Sequence, residues 1–164
     1  MWFFMYISYV LTLISFLLML FTGIQGYFRF DISGIGHATW ATLAIIVYLF
    51  TQTLVMFFFI GTGSSIKEYT QEHNLDLTFR KKVIEIKKVL FPSLMVSLGL
   101  FMTQYVLGAA VDTKHVPGWV HGVLFIIAML HYAKLIVIEH GSFKKNTWII
   151  LEMSGIAPKK EVRG

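Results

Sequence analysis

The sequence has no cysteine and only three prolines. Without thiols there is no disulfide, thiolate metal site, iron–sulfur cluster or covalently attached c-type haem, which leaves histidine, carboxylate and methionine as ligands. Charge is scarce too: 14% of the 164 residues are charged, against 56% hydrophobic and 16% aromatic. A soluble domain of this length cannot bury that much apolar side chain, and the mean hydropathy of +0.69 agrees. The composition is that of an integral membrane protein. Catalytic motifs are missing as well. Nothing matches a Ser-His-Asp triad, an H-E-x-x-H helix or a dinucleotide loop. The glycine-rich string Gly61-Thr62-Gly63-Ser64-Ser65 lacks the spacing of a phosphate loop.

Four long apolar runs dominate the chain, at residues 2–24, 37–60, 91–111 and 117–138. Each is long enough to cross a bilayer as a helix. Residues 112–116 are so short a connection that the third and fourth helices must be antiparallel neighbours, and the set as a whole predicts an up-down-up-down bundle. The first run has no basic n-region and no A-x-A pattern, so it is expected to be a retained helix and not a signal peptide. Gly61 to Ser65 is expected to end the second helix, with Ser65 capping the next segment.

Residues 61–90 are polar enough to leave the membrane. Asn74 marks an expected break and Thr78 an expected cap for a helical stretch with Phe79, Val83, Ile86 and Leu90 on one face. Arg80, Lys81, Lys82, Lys87 and Lys88 lie opposite that face, where lipid headgroups would meet them. Residues 139–164 are expected to form a tail, with a short interfacial helix at 146–154.

The net charge of +5 is unevenly placed. Lys67, the five cations just named, Lys144, Lys145, Lys159, Lys160 and Arg163 flank the membrane on one side, whereas the first and third connections carry only Arg29 and Lys114. The positive-inside rule then puts the middle segment and both termini in the cytoplasm, as for a multi-pass plasma (inner) membrane protein. This placement points to the lipid bilayer as the partner of the positive charge, and not to nucleic acid.

Six histidines stand out in so apolar a chain. His37 opens the second run and His121 lies just inside the fourth. In a bundle with short loops these two helices are parallel and diagonal, so both imidazoles share one depth near the non-cytoplasmic face and point across the axis. Such a pair can serve as the axial ligands of a haem iron. Gly23, Gly26, Gly108, Ala109, Ala110 and Gly122 concentrate small residues at that depth, and Arg29 and Lys114 are placed where propionates would emerge. A weak duplication runs alongside: Gln25, Asp31 and His37 are echoed by Gln104, Asp112 and His121.

His131 lies ten residues past His121, about 15 Å deeper. No histidine of the second helix matches it, so one haem b is expected and not two. Tyr48, Gln52 or Ser97 would be its hydrogen-bond partners, in a secondary quinone or proton site. Two other readings stay open. Asp31, Asp112 and His115 could join the outer histidines as a zinc or copper site. Alternatively the glycines serve helix packing alone and the chain is a cofactor-free structural or assembly subunit.

With these residues in view, the plan resembles small membrane-bound b-type cytochromes, such as the membrane-anchor cytochrome b subunits of quinone-linked respiratory enzymes. The resemblance rests on the four-helix architecture and on His37 with His121. It implies b-haem, quinone exchange and association with a catalytic partner, that is, an electron carrier or accessory subunit within a larger complex.

Overall fold

A computed structural model describes residues 2–32 and 34–156 of the chain; the expected positions of Met1, Lys159, Lys160 and Arg163 lie outside them. The described residues form four helices, α1 (Trp2–Phe28), α2 (His37–Glu72), α3 (Thr78–Asp112) and α4 (Gly118–Met153). Each is long and apolar enough to cross a membrane. Helix α1 packs on α2, α2 on α3 and α3 on α4, and α4 closes more sparsely on α1. Along that last seam Met5 meets Thr147, Tyr9 meets His140 and Ser15 meets Tyr132.

The interior follows a seven-residue rhythm. On α4 the buried positions are Ala128, Tyr132, Leu135, Glu139, Ser142, Asn146 and Ile149, in alternating steps of four and three that include Phe143 as an extra contact. On α3 they are Val83, Ile86, Leu90, Leu94, Ser97, Phe101 and Gln104. That spacing is the signature of knobs-into-holes packing between long helices. The residues that fill it are unusual for a soluble bundle. Five of the six buried residues of α1 are polar, namely Ser8, Thr12, Ser15, Thr22 and Gln25, while Leu13, Leu17 and Val10 face outwards. Lipid solvates the outer apolar side chains as well as a core would, so small and polar residues are free to take the helix contacts.

Three expectations are corrected. Gly61 to Ser65 does not end a helix: α2 runs unbroken to Glu72. The physical reason lies across the seam. A Cβ at Gly63 would collide with Lys87 and come within 3.2 Å of the Val83 side chain, so Gly63 lets α3 approach closely. Ile66 and Thr70 keep the same face buried beyond the glycines, which holds the helix together.

Residues 78–90 are likewise not a separate amphipathic piece but the first turns of α3, which passes through Pro92. Pro92, exposed on α3, has no N–H to donate to the carbonyl of Lys88, and the helix continues through it. Thr78 does not cap by its own side chain; Asp76 does, accepting bonds from the Thr78 amide at 2.8 Å and hydroxyl at 2.7 Å. Asn74 does lie in the turn between α2 and α3, with φ +50°.

The tail is corrected in the same way. Glu139, His140 and Gly141 lie within α4, which continues to Met153, so the short interfacial helix is its last turns. Lys82 donates to Glu152 at 2.7 Å and ties the start of α3 to the end of α4. With 36, 35 and 36 residues, α2, α3 and α4 each reach roughly 53 Å, well beyond a hydrocarbon core of about 30 Å. All three are therefore longer than one crossing needs, and their further turns pack within the same bundle.

Candidate functional site

His37 is the first residue of α2, entered from Gly36 in an extended conformation, and His121 lies in the first turn of α4. The diagonal arrangement of these helices brings the two half-buried imidazoles together, with ring centroids 6.4 Å apart and planes at 85°. Gln104, buried on α3, donates its amide N–H to Nε2 of His121 at 3.1 Å. Nδ1 of His121 and Nδ1 of His37 are both buried without a partner. Buried polar atoms of this kind are costly unless something binds them.

The two imidazoles are near neighbours on separate helices, with Nε2 of His121 engaged by Gln104 and the Nδ1 atoms left over. Two half-buried imidazoles with unpartnered nitrogens are the donor chemistry that a haem iron takes.

The glycines divide. A Cβ at Gly26 would stand 2.8 Å from Cε1 of His37, and one at Gly108 would stand 3.2 Å from Cε1 of His121. Helices α1 and α3 thus each offer a bare backbone to one histidine, in matching fashion. Gly23 belongs to the same level, but the ring of Phe125 takes its space. Gly122 is exposed with nothing within 4 Å and does not line the site, because a residue adjacent to His121 points about 100° away around the helix.

Arg29 and Lys114 close α1 and α3 at this end, both in the left-handed region with φ +53° and +61°, and both exposed. Arg29 is the first residue past α1 and Lys114 the second past α3. The alternative metal set does not assemble: among the described residues no three His, Asp or Glu side chains converge. His115 is instead bonded to Thr113 at 2.9 Å, and Asp31 and Asp112 are exposed.

His131 does not meet Tyr48 or Gln52. Tyr48 donates to Ser97 at 2.7 Å and packs on Phe101 and Tyr132. Tyr132 takes the interior place because it shares a face with Ala128 and Glu139, whereas His131, one residue earlier, is rotated off it and is only partly buried.

Around Tyr132 lies a second polar cluster that hydropathy and motif spacing do not bring out. Tyr132 hydrogen-bonds to Ser15 and to the Thr12 carbonyl, and Gln52 lies beside both Tyr132 and Glu139. Gln52, Glu139 and Asn146 are 0%, 2% and 1% exposed, and each keeps at least one polar atom unpartnered. A layer of Met19, Ala44, Ile45, Phe101 and Ala128 separates this cluster along the helices from the histidine pair. The signal for Glu139 and Asn146 is the seven-residue rhythm of α4 continuing past Ile138. A cavity of about 650 Å³ opens at the same end as this cluster, between Phe4, Leu54, Phe58, Thr62, Ile150 and Met153. No family model, curated protein or solved structure matches the chain.

Proposed function

We propose that the chain is an electron-transfer subunit of a membrane oxidoreductase complex, in which His37 and His121 would hold the iron of one b-type haem. The observation that carries this reading is the pair itself, two imidazoles 6.4 Å apart on diagonal helices with both Nδ1 atoms buried and unpartnered. Haem at this place would supply one-electron chemistry. Gln104 would orient the His121 ring, Gly26 and Gly108 would give the two rings their room, and Arg29 and Lys114 would offer cations to carboxylates at the bundle end.

The bundle is up-down-up-down, with the histidine pair at the non-cytoplasmic end of a plasma-membrane protein and both termini in the cytoplasm. Seam contacts whose numbers rise on α1 as they fall on α4 support the topology, and the basic residues clustered at the other end support the orientation. Quinone and a catalytic partner subunit are the electron-exchange partners that the resemblance to anchor cytochromes suggests. A cofactor-free structural subunit is the competing reading, favoured by Phe125 filling the space at Gly23.

The deciding measurement is a reduced-minus-oxidised absorption spectrum of purified protein made with ample haem, beside His37→Ala and His121→Ala. Paired α and Soret bands that disappear in both variants are expected. Colourless wild-type protein would leave the structural subunit, and bands that persist in both variants would move the ligands elsewhere.

A further inference from the structure

The electron-carrier reading makes no use of Glu139, the most deeply buried Asp, Glu, Lys or Arg among the described residues at 2% exposure. A carboxylate inside a helical bundle ordinarily has a cation or a full set of donors. Glu139 has neither. The ion pairs among the described residues are Lys82 with Glu152 and Lys88 with Glu85, and Oε1 of Glu139 accepts no hydrogen bond. The titratable groups around it are phenols: Tyr9 from α1, Tyr48 from α2 and Tyr132 from α4 itself. None of the buried residues of α3 titrates. The Gln52 amide also lies beside it, at a distance or angle short of a well-formed hydrogen bond.

An acid so placed avoids the cost of a buried, uncompensated charge by keeping its proton. A way in is also present. His140, the next residue, is exposed, and its Nδ1 is 3.0 Å from the Tyr9 hydroxyl. The half-buried Tyr9 ring packs against Phe143 on the inner side and His140 on the outer side. Tyr9 thus spans the gap between an imidazole in contact with solvent and the interior where Glu139 sits.

We propose that Glu139 is a proton-binding site inside the bundle, reached from the surface through His140 and Tyr9. A proton taken from water by His140 passes to the Tyr9 oxygen as the Tyr9 O–H proton moves inwards to the Glu139 carboxylate, through water where the groups do not touch. The reverse sequence releases it. Tyr9 ends each passage as a neutral phenol and no electron moves. The unpartnered Gln52 and Asn146 atoms supply donors and acceptors for the water such a route needs. The apolar layer at Met19, Ala44, Ile45, Phe101 and Ala128 stops the route short of the histidine pair, so it opens on one side only.

The test is infrared spectroscopy of the full chain in detergent or nanodiscs, reading the carbonyl stretch of a protonated carboxylic acid near neutral pH and its shift in D₂O. The expected result is a band present in the wild type and lost in Glu139→Gln. Tyr9→Phe should keep the band and slow its exchange with D₂O, and Gln52→Leu should displace its frequency. No band in the wild type would overturn the proposal, as would one that survives Glu139→Gln. If Glu139→Gln does not fold, an unshifted band in Gln52→Leu with unchanged exchange in Tyr9→Phe would overturn it equally. The band should also persist in His37→Ala and His121→Ala, so this proposal and the haem reading fail independently.

Discussion

Gly26 and His37 occupy one another's space: the imidazole edge sits where a side chain at position 26 would begin, 2.8 Å from the ideal Cβ. Across the bundle Gly108 stands in the same relation to His121, but at 3.2 Å. A methyl at the first position must displace the ring, whereas at the second a shift of a few tenths of an ångström suffices. Gly26→Ala should therefore lower the thermal midpoint of the detergent-solubilised protein more than Gly108→Ala, by an overpacking cost of about 1–3 kcal/mol. An equal effect of the two, or none from Gly26→Ala, would show that the His37 ring is not held against α1.

Gly61 and Gly63 give a sharper contrast, two residues apart. Both lie inside α2, but Gly61 has nothing within 4 Å of its missing side chain while Gly63 is covered by Lys87 and Val83. An exposed glycine within a helix costs roughly 0.5–1 kcal/mol relative to alanine. Gly61→Ala is thus expected to stabilise by about that amount, and Gly63→Ala to gain less, because the end of Lys87 must swing aside and the Val83 side chain, 3.2 Å from the new methyl, must shift. Were the string a turn instead of a helix, alanine at position 61 would bring no gain in the unfolding midpoint.

That pair also shows how far the sequence could be read. Hydropathy locates the four spans because a lipid-facing surface demands apolar residues such as Leu13, Leu17 and Phe50. It is blind to where the helices stop. Beyond the membrane the same helices carry polar outer faces, and only the recurrence of Ile66 and Thr70, or of Ser142, Asn146 and Ile149, records that they continue. Glycine and a Glu-His-Gly string look like breaks when judged by propensity, but tertiary packing overrides propensity in a bundle this long. The histidine pair was legible because diagonal helices of equal entry depth bring their first turns together. Glu139 and Asn146 were not, since they lie past Ile138 where a hydropathy scale reads loop, although Tyr48 and Gln52 beside Glu139 lie within a span.

Ser15 and Tyr132 join α1 to α4 through a fully buried hydrogen bond, both residues being 0% exposed. The seam between these two helices is the sparsest of the four, so this bond matters more to it than a single contact would elsewhere. A double-mutant cycle of Ser15→Ala and Tyr132→Phe, monitored by unfolding in mixed micelles, should give a coupling energy of roughly 0.6 kcal/mol and no more than about 1.7. Additivity within error would mean that the hydroxyls do not interact, and that packing of Phe16 on the Tyr132 ring closes the seam alone.

Outside the membrane the turn between α2 and α3 should respond to acid. Asp76 accepts hydrogen bonds from the Thr78 hydroxyl and amide, and these, with lesser help from Lys81 and Lys82, hold its carboxyl below the ordinary value of 3.8. A folded-state value depressed below the unfolded one contributes stability that is present above the unfolded value and is lost as pH falls through the folded one. The first turn of α3 should therefore stay protected near neutral pH and loosen only below about pH 4, the range where unperturbed carboxyls take up protons. Amide hydrogen exchange over residues 78–82 reads this directly. In Asp76→Ala the same amides should be less protected at neutral pH, relative to the intrinsic exchange rate at each pH, and lose no further protection on acidification; the same pH profile of protection in both proteins would rule out Asp76 as the cap of α3.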